Sequence, residues 1–209
     1  MVEPFWTSLV ALLVTVDPIG LVPIFVALTP GSSDAERALL AHRAVSLAAV
    51  VLLLFAIAGE KVLGSLGIGM GAFRIAGGLF LFLLALEMVF ERRGQRRGGT
   101  AEGVVEDRHG ADLAVFPLAI PLIAGPASIT TTILVADRLS PTLAGRIAVL
   151  AAVVVALGLT WVALLVASRL ARVMGPTLIG VLSRLLGLLL GALAAQYVVD
   201  GIRDALAVR

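Results

Sequence analysis

The chain has 209 residues, of which 60% are hydrophobic and 14% charged, and its formal net charge is +2. Its mean hydropathy of +1.08 leaves too little polar surface to cover a soluble domain, so the composition predicts an integral membrane protein. Cysteine is absent from the sequence, which excludes disulfides and thiolate chemistry, and the small net charge gives no indication of nucleic-acid binding.

Apolar stretches along the chain predict six transmembrane helices, because about 20 residues cross the hydrocarbon core of a bilayer. We place them at 5–28, 44–66, 70–90, 113–136, 146–168 and 183–202. The first stretch is long, lacks a basic flank and contains Asp17, so no cleavable signal peptide is predicted. A glycine-rich run at 64–71 predicts a tight or re-entrant connection between the second and third helices.

Two of the predicted helices are interrupted by proline and glycine at corresponding positions. The first interruption is Asp17-Pro18-Ile19-Gly20, and the second is Ala124-Gly125-Pro126. Proline removes a backbone donor and glycine loosens the helix, so each break frees N–H and C=O groups that hydrocarbon cannot satisfy. A pair of broken helices in matching halves is typical of a transporter's binding site.

A polar stretch at 91–112 divides the chain and is predicted to be a cytoplasmic linker. The division gives a three-helix repeat at 1–90 and a second one at 113–209, with Arg74 and Gly77 opening the third helix as Arg184 and Gly187 open the sixth. Three helices per half make the repeats inverted in the membrane. The predicted fold is therefore an all-α membrane protein of two inverted three-helix repeats, with helices 1 and 4 broken.

The distribution of basic residues predicts that both termini lie outside the cell, because cytoplasmic loops carry the excess of Lys and Arg. The loops after helices 1, 3 and 5 contain Arg37, Arg43, Arg92, Arg93, Arg96, Arg97, Arg108, Arg169 and Arg172. The opposite side contains Lys61, Arg138, Arg146, Arg203 and Arg209.

The first break is predicted to bind an ammonium group or a coupling ion. A carboxylate near the bilayer centre costs about 2.5–3.5 kcal/mol, so Asp17 is expected to face the interior and to serve a site. The alternative is that Asp17 caps the half-helix that begins at Pro18, and both roles can hold together. Thr15, Pro18, Ile19 and Gly20 complete this half of the predicted site, with Thr15 and Asp17 holding H⁺ or Na⁺.

The second break is predicted to bind the carboxylate of a substrate. Amide N–H groups at a helix start carry partial positive charge and suit an anion, which indicates Gly125, Pro126, Ala127, Ser128 and Thr130. The alternative is that the serine and threonine hydroxyls bond back to their own helix.

Four further side chains are predicted to support this site from outside. Arg74 and Arg184 are expected either to reach the headgroups or to bind carbonyls of a broken helix. Gln196 and Tyr197 are expected to hydrogen-bond across helices, or Tyr197 to lie at the membrane interface. The glycines of helices 3 and 6 predict close helix packing, and the two histidines show no metal-ligand spacing.

Several segments together resemble the MarC family of bacterial and archaeal membrane proteins. They are DPIGLVPIF at 17–25, FRIAGG at 73–78, FPLAIPLIAGP at 116–126, SRLLG at 183–187 and AQY at 195–197. The resemblance implies six helices and transport of small neutral amino acids such as glycine or alanine, coupled to protons or sodium. The family usually has Asn where this chain has Asp17, often Asn in place of Asp200, and Gly in place of Ala127.

The sequence thus predicts a secondary transporter of a small zwitterion in the cytoplasmic membrane, surrounded by lipid and working by alternating access. A facilitative pore and a non-transporting partner protein are the alternatives. No cofactor beyond a coupling ion and no enzymatic motif are expected, and homo-oligomer formation is left open.

Overall fold

The computed structural model describes residues 2–90, 113–139 and 142–207, and within these ranges the regular structure is entirely helical. We number the helical segments α1 to α8. They are α1 (Val2–Val16), α2 (Pro18–Leu28), α3 (Asp34–Ser65), α4 (Met70–Val89), α5 (Ala114–Ile123), α6 (Pro126–Leu139), α7 (Leu143–Leu165) and α8 (Ala167–Ala207). The predicted linker at 91–112 lies outside the described residues.

These segments provide five to six crossings of a membrane. Five are long and apolar enough by themselves, with α1 and α2 counted as one continuous span. The pair α5 and α6, whose axes meet at 51°, adds a sixth if it is counted as one bent span. The predicted all-helical membrane fold is confirmed at this level.

The second helix begins ten residues earlier than hydropathy predicts, at Asp34 instead of position 44. A capping box fixes this start: the Glu36 N–H donates to the Ser33 hydroxyl over 3.3 Å, and the Ser33 N–H donates to the Glu36 carboxylate over 2.8 Å. The charged residues that follow Ser33 therefore form the first turns of a helix, in a segment that hydropathy predicted to be a loop.

Two other boundaries also differ in detail from the prediction. The sixth span is longer than 183–202 and covers Thr177–Leu206, which is the part of α8 that follows a break at Gly175, where φ is 64°. The glycine-rich connection at 64–71 forms a short turn between α3 and α4, with Gly67 at φ 72° supplying the left-handed residue. Of the two alternatives offered by the sequence, the structure shows the tight turn.

The helices α4 and α8 pack antiparallel at very short range, as their glycines predict. A Cβ atom added at Gly78 would lie 2.8 Å from the Ala194 carbonyl oxygen, and one added at Gly187 would lie 2.8 Å from the Met88 side chain. At Gly201 the nearest atom would be a backbone oxygen 2.7 Å away. Any larger residue at these positions would therefore force the two backbones apart.

The buried core is divided between two main clusters, and α1 contributes to both. The larger cluster joins α1 and α2 to α3, α5 and α7 through side chains such as Phe25, Leu52 and Ile123. The second cluster joins α1 to α4, α6 and α8, with Val14 and Leu134 among its members. The broken first span thus lies at the centre of the molecule.

Candidate functional site

Asp17 forms the break between α1 and α2. Its backbone has φ 56° and ψ 67°, in the left-handed region that among non-glycine residues Asp and Asn adopt most readily. The side chain is only 2% exposed, and its carboxylate accepts a hydrogen bond of 3.0 Å from the Gly20 N–H, which caps α2. The same residue therefore turns the chain, caps a half-helix and places a carboxylate inside the protein.

Gly20 is required by the position of that carboxylate. A Cβ atom at residue 20 would overlap the Asp17 side chain, so only glycine lets the carboxylate lie against the first turn of α2. Pro18 and Ile19, between them, are half-buried. The glycine of this break is thus explained by close contact more than by helix flexibility.

Thr15, the other residue predicted to hold the coupling ion, is buried one turn before the break. Its hydroxyl donates to carbonyl oxygens of its own helix, at 2.9 Å from Ala11 and 3.2 Å from Leu12. Thr15 is therefore buried two residues before Asp17, and its hydroxyl donates its proton to carbonyl oxygens of α1.

The second break replaces regular helix with extended backbone at two positions of α5. Phe116 has φ −133° and ψ 125°, and Ile120 has φ −129° and ψ 123°. The chain then closes a wide turn, in which the Ala124 N–H donates to the Ala119 carbonyl over 2.8 Å. A Cβ atom on Gly125 would overlap the Pro121 carbonyl oxygen, so this position also requires glycine.

Ser128 ties the two sides of this break together. Its hydroxyl lies 2.6 Å from the Ile123 carbonyl oxygen and 3.1 Å from that of Gly125, and the side chain is buried. The hydroxyl therefore satisfies a carbonyl that the broken helix would leave open. The Ser128 O–H thus donates to backbone carbonyls of the protein, which is the alternative role that the sequence offered for this hydroxyl.

The other predicted residues of α6 are placed unequally. Ala127 is buried in the cluster that contains Val14 of α1, whereas Pro126 is exposed. Thr130 is half-buried, and its methyl carbon would be the first atom met by a side chain on Gly77 of α4. The interior at this break is therefore lined by Gly125, Ala127 and Ser128, with Pro126 and Thr130 at its margin.

Thr131 is a polar residue of this region that the predicted site leaves out. It is fully buried, and its hydroxyl is one of the few buried side-chain atoms with no hydrogen-bond partner among the described residues. The sequence alone does not show whether the hydroxyl of a threonine in an apolar stretch is hydrogen-bonded or not.

Residues that flank the first break and residues that precede the second belong to one part of the core. Val16 and Leu21 flank Asp17, Ile123 and Ala124 precede Gly125, and all four lie in the larger cluster. The helices α1 and α6 also pack against each other directly. The structure thus packs the apolar neighbours of both breaks into one hydrophobic cluster.

Arg74 has partners inside the protein instead of reaching the headgroups, and those partners are two carboxylates, not the carbonyls of a broken helix. Its guanidinium forms ion pairs with Asp137 of α6 and Asp204 of α8, and the Nε–Oδ2 distance to Asp137 is 3.0 Å. A carboxylate is the stronger acceptor for a guanidinium, which explains the preference. Arg184 lies exposed on α8, near Gly187 and the other end of α4.

Gln196 and Tyr197 also differ from their predicted roles. Gln196 is exposed and donates to Asp200 of its own helix over 2.8 Å, instead of bonding across helices. Asp200 in turn pairs with Arg138 of α6 at 3.3 Å. Tyr197 is buried in the cluster between α4, α6 and α8, so it is not an interfacial aromatic residue. Both residues support helix packing at the end where α4 begins.

A second arginine joins helices at the opposite end of the bundle. Arg37 of α3 donates to the Thr29 carbonyl at the end of α2 over 2.9 Å, and to the Ser168 hydroxyl of α8 over 2.6 Å. Sequence reasoning counted Arg37 only as a loop charge. The capping box at Ser33 and Glu36 is the signal that would have placed it one turn inside a helix.

Comparison with known proteins decides the family. The model of the MarC family integral membrane proteins matches residues 2–206 of this chain. The chain belongs to the MarC family. Among its relatives, a UPF0056 membrane protein of Methanocaldococcus jannaschii is 40% identical over 191 residues, which is 91% of each chain. No solved structure gives a significant match.

Bacterial relatives extend the same similarity over nearly the whole chain. The UPF0056 inner membrane protein YhgN of Escherichia coli K12 is 34% identical over 197 residues, covering 94% of this chain and 95% of the relative. A UPF0056 membrane protein of Aquifex aeolicus is 33% identical over 202 residues, covering 97% and 94%. The protein is therefore an integral, multi-pass membrane protein of the MarC family.

Proposed function

We propose that this MarC family protein is a secondary transporter that moves small neutral amino acids across the cytoplasmic membrane, coupled to H⁺ or Na⁺. The observation that carries the proposal is the carboxylate of Asp17, which is 2% exposed at a helix break inside a membrane protein. Ionisable groups in this position are expensive and mark ion or solute pathways. We assign the protein no enzymatic role.

The two breaks divide the recognition of a zwitterion between them. The substrate carboxylate meets the start of α6, where the first amide N–H groups, those of Ala127 and Ser128, have no partner within the helix. The substrate ammonium or the coupling ion meets the carboxylate of Asp17. Glycine and alanine are the substrates that the resemblance to the MarC family implies.

Alternating access follows from the division into two inverted halves, the first at 1–90 and the second at 113–209. At each end of the bundle one arginine of the first half binds the second: Arg74 binds Asp137 and Asp204, and Arg37 binds Ser168. Charge-assisted pairs are stronger than bonds to neutral acceptors. The end of the bundle that contains Arg74 is therefore the more firmly closed. The excess of basic residues in the opposite loops predicts that this end, with both termini, faces the outside.

The proposal is tested by solute uptake into proteoliposomes with purified protein. Labelled glycine and alanine are offered under imposed proton and sodium gradients, applied separately. We expect accumulation driven by one gradient, which names the coupling ion. Flux that follows the solute gradient alone would indicate a facilitative pore. No flux by folded protein, together with one stoichiometric partner in pull-downs, would favour the non-transporting alternative.

Variants of Asp17 link that activity to the site. Asp17→Asn keeps a side chain that caps α2 and tolerates the left-handed backbone, but it removes the charge. We expect Asp17→Ala to lose uptake, while Asp34→Asn, at an exposed carboxylate, transports as the parent does. Asp17→Asn introduces the residue that the family usually has here and shows whether the charge itself is needed. Normal coupled uptake by Asp17→Asn and by Asp17→Ala would refute a role for this carboxylate.

A further inference from the structure

Two fully buried hydroxyls, those of Ser8 on α1 and Thr131 on α6, have no hydrogen-bond partner among the described residues. Other hydroxyls buried to the same degree are satisfied by their own helix: that of Thr132, for example, donates to the Ser128 carbonyl over 2.7 Å. Buried polar groups of native proteins are nearly always hydrogen-bonded. The Ser8 and Thr131 hydroxyls therefore point to partners from outside the chain, and water is the usual one.

Thr131 faces the last turn of α1, close to the level of Asp17. Ala127 and Leu134, four residues before Thr131 and three after it, share its face of α6. Both are buried in one cluster with Val14 of α1. Thr131 is therefore level with Val14, which precedes Asp17 by three residues, or about 4.5 Å along a helix axis.

Ser8 lies nearer to the end of the bundle where α1 and α4 begin. The two helices begin at the same end because α1 and α2 cross as one span and α3 returns. Ser8 is buried one turn before Ala11, which packs with Val135 of α6 and Val149 of α7. The level of Thr131 is about 9 Å further along α1. The two hydroxyls thus lie on either side of an apolar contact, on a line that leads inward along α1.

This line of hydroxyls suits H⁺ better than Na⁺. A metal cation needs several oxygen ligands at each position to replace its water shell, as carbonyl rings provide in ion channels. Ser8 and Thr131 provide one hydroxyl each, with apolar side chains between them. H⁺ needs only a chain of hydrogen-bonded waters and hydroxyls, and a hydroxyl that donates one bond and accepts others can join such a chain.

The charged residues around this line lie at its outer end. Those of α1, α6, α7 and the end of α8 stand in the terminal two turns of their helices and are Glu3, Asp137, Arg138, Arg146, Asp200, Arg203 and Asp204. Asp17 is therefore the first ionisable group that lies further in. On the basis of the transport function proposed above, we propose that the coupling ion is H⁺ and that it reaches Asp17 from this end, through water bound by Ser8 and Thr131.

Hydroxyl-radical footprinting tests for this water without any transport. A short X-ray pulse splits water in place, and mass spectrometry then identifies the side chains that were oxidised beside it. We expect oxidation of Val14 and Val135, although these are only 2% and 1% exposed, and none at Leu52, which is equally buried in the larger cluster. Thr131→Val should remove the oxidation at Val14. Folded parent protein without oxidation at Val14 and Val135 would overturn the proposed path.

Uptake into proteoliposomes tests the coupling ion. We expect the parent to accumulate labelled alanine under a proton gradient alone. Thr131→Val replaces the hydroxyl by a methyl group of similar size and should slow this uptake about tenfold, because one hydrogen bond to the water chain is lost. Thr131→Ser keeps the hydroxyl and should retain most of the rate. The matched control is Thr132→Val, whose hydroxyl is equally buried but bonds to its own helix, and it should transport as the parent does.

The outcomes separate this proposal from the transport function on which it rests. Accumulation under a sodium gradient alone would overturn H⁺ as the coupling ion and leave the transporter. Equal proton-driven rates in the parent and in Thr131→Val would overturn the path through this hydroxyl. A folded parent that moves no solute under either gradient would refute the transport function and, with it, the coupling role of the path.

Discussion

Replacing Arg74 by glutamine tests whether the ion pairs at the start of α4 close one end of the protein. Glutamine keeps much of the length of the side chain and two N–H donors, but it removes the positive charge. Asp137 and Asp204, on α6 and α8, then lose their common partner. Because Arg74 lies in the first half of the chain and both carboxylates in the second, the change weakens the contact between halves.

The expected loss of stability follows from the burial of the partners. The side chains of Arg74 and Asp137 are 19% and 14% exposed, whereas that of Asp204 is 45% exposed. Leaving a fully buried charge without its partner costs about 3–5 kcal/mol, and an exposed pair contributes at most about 1 kcal/mol. With glutamine still donating to Asp137, we expect a loss of about 2–3 kcal/mol in the free energy of unfolding.

Two assays measure the effect, one on stability and one on access. The free energy of unfolding is measured by titration with a denaturing detergent. Access is measured on the single cysteine of Thr131→Cys, since the chain has none of its own and Thr131 is fully buried. Labelling by a charged maleimide should be slow in Thr131→Cys alone and faster in Thr131→Cys/Arg74→Gln. Arg138→Gln, at a pair whose arginine is 43% exposed, is the matched control and should change neither quantity much.

The double variant Arg74→Gln/Asp137→Asn separates the charge effect from general damage. Removing the uncompensated carboxylate should recover part of the lost stability, while the faster labelling at position 131 should persist because the contact stays weak. If Arg74→Gln unfolds with the parent's free energy and labels at the parent's rate, the ion pairs neither stabilise the fold nor close this end.

Two smaller changes test the geometry of the breaks, again through the free energy of unfolding. Gly20→Ala should lower it by about 1–2 kcal/mol, because the new methyl group displaces the Asp17 carboxylate from its cap. Gly158→Ala is the control: a side chain there meets nothing within 4 Å, so it should be neutral or slightly stabilising. Ser128→Ala should cost about 1–3 kcal/mol by leaving the Ile123 carbonyl unsatisfied. Unchanged stability would mean that another donor replaces the hydroxyl.

The helical class and the locations of the breaks could be predicted because their causes are local. An apolar stretch of span length is visible in any window of the sequence, and proline or glycine interrupts a helix wherever it stands. The start of α3 was missed although its signal is also local. Hydropathy finds where a helix enters the membrane, whereas the capping box at Ser33 and Glu36 marks where the helix begins.

The partners of the charged residues could not be predicted, because they are distant in the sequence. Arg74 meets Asp137 and Asp204, which are 63 and 130 residues away, and Arg37 meets Ser168, which is 131 residues away. Nothing local distinguishes an arginine that reaches the headgroups from one that joins three helices. Only the packing of α4 against α6 and α8 selects among the acceptors.

The sequence by itself determined that this is a helical membrane protein with two broken spans, since hydropathy and backbone chemistry act residue by residue. The tertiary structure alone decided what the residues at the breaks do. Asp17 caps α2 because the backbone is left-handed at this residue. The Ser128 hydroxyl links the two sides of the second break because the Ile123 carbonyl oxygen lies within hydrogen-bond distance. Both contacts are local, and the sequence offered each as an alternative, but only the folded backbone selects between the alternatives. The burial of Asp17 depends on how the helices pack, which is a property of the whole chain.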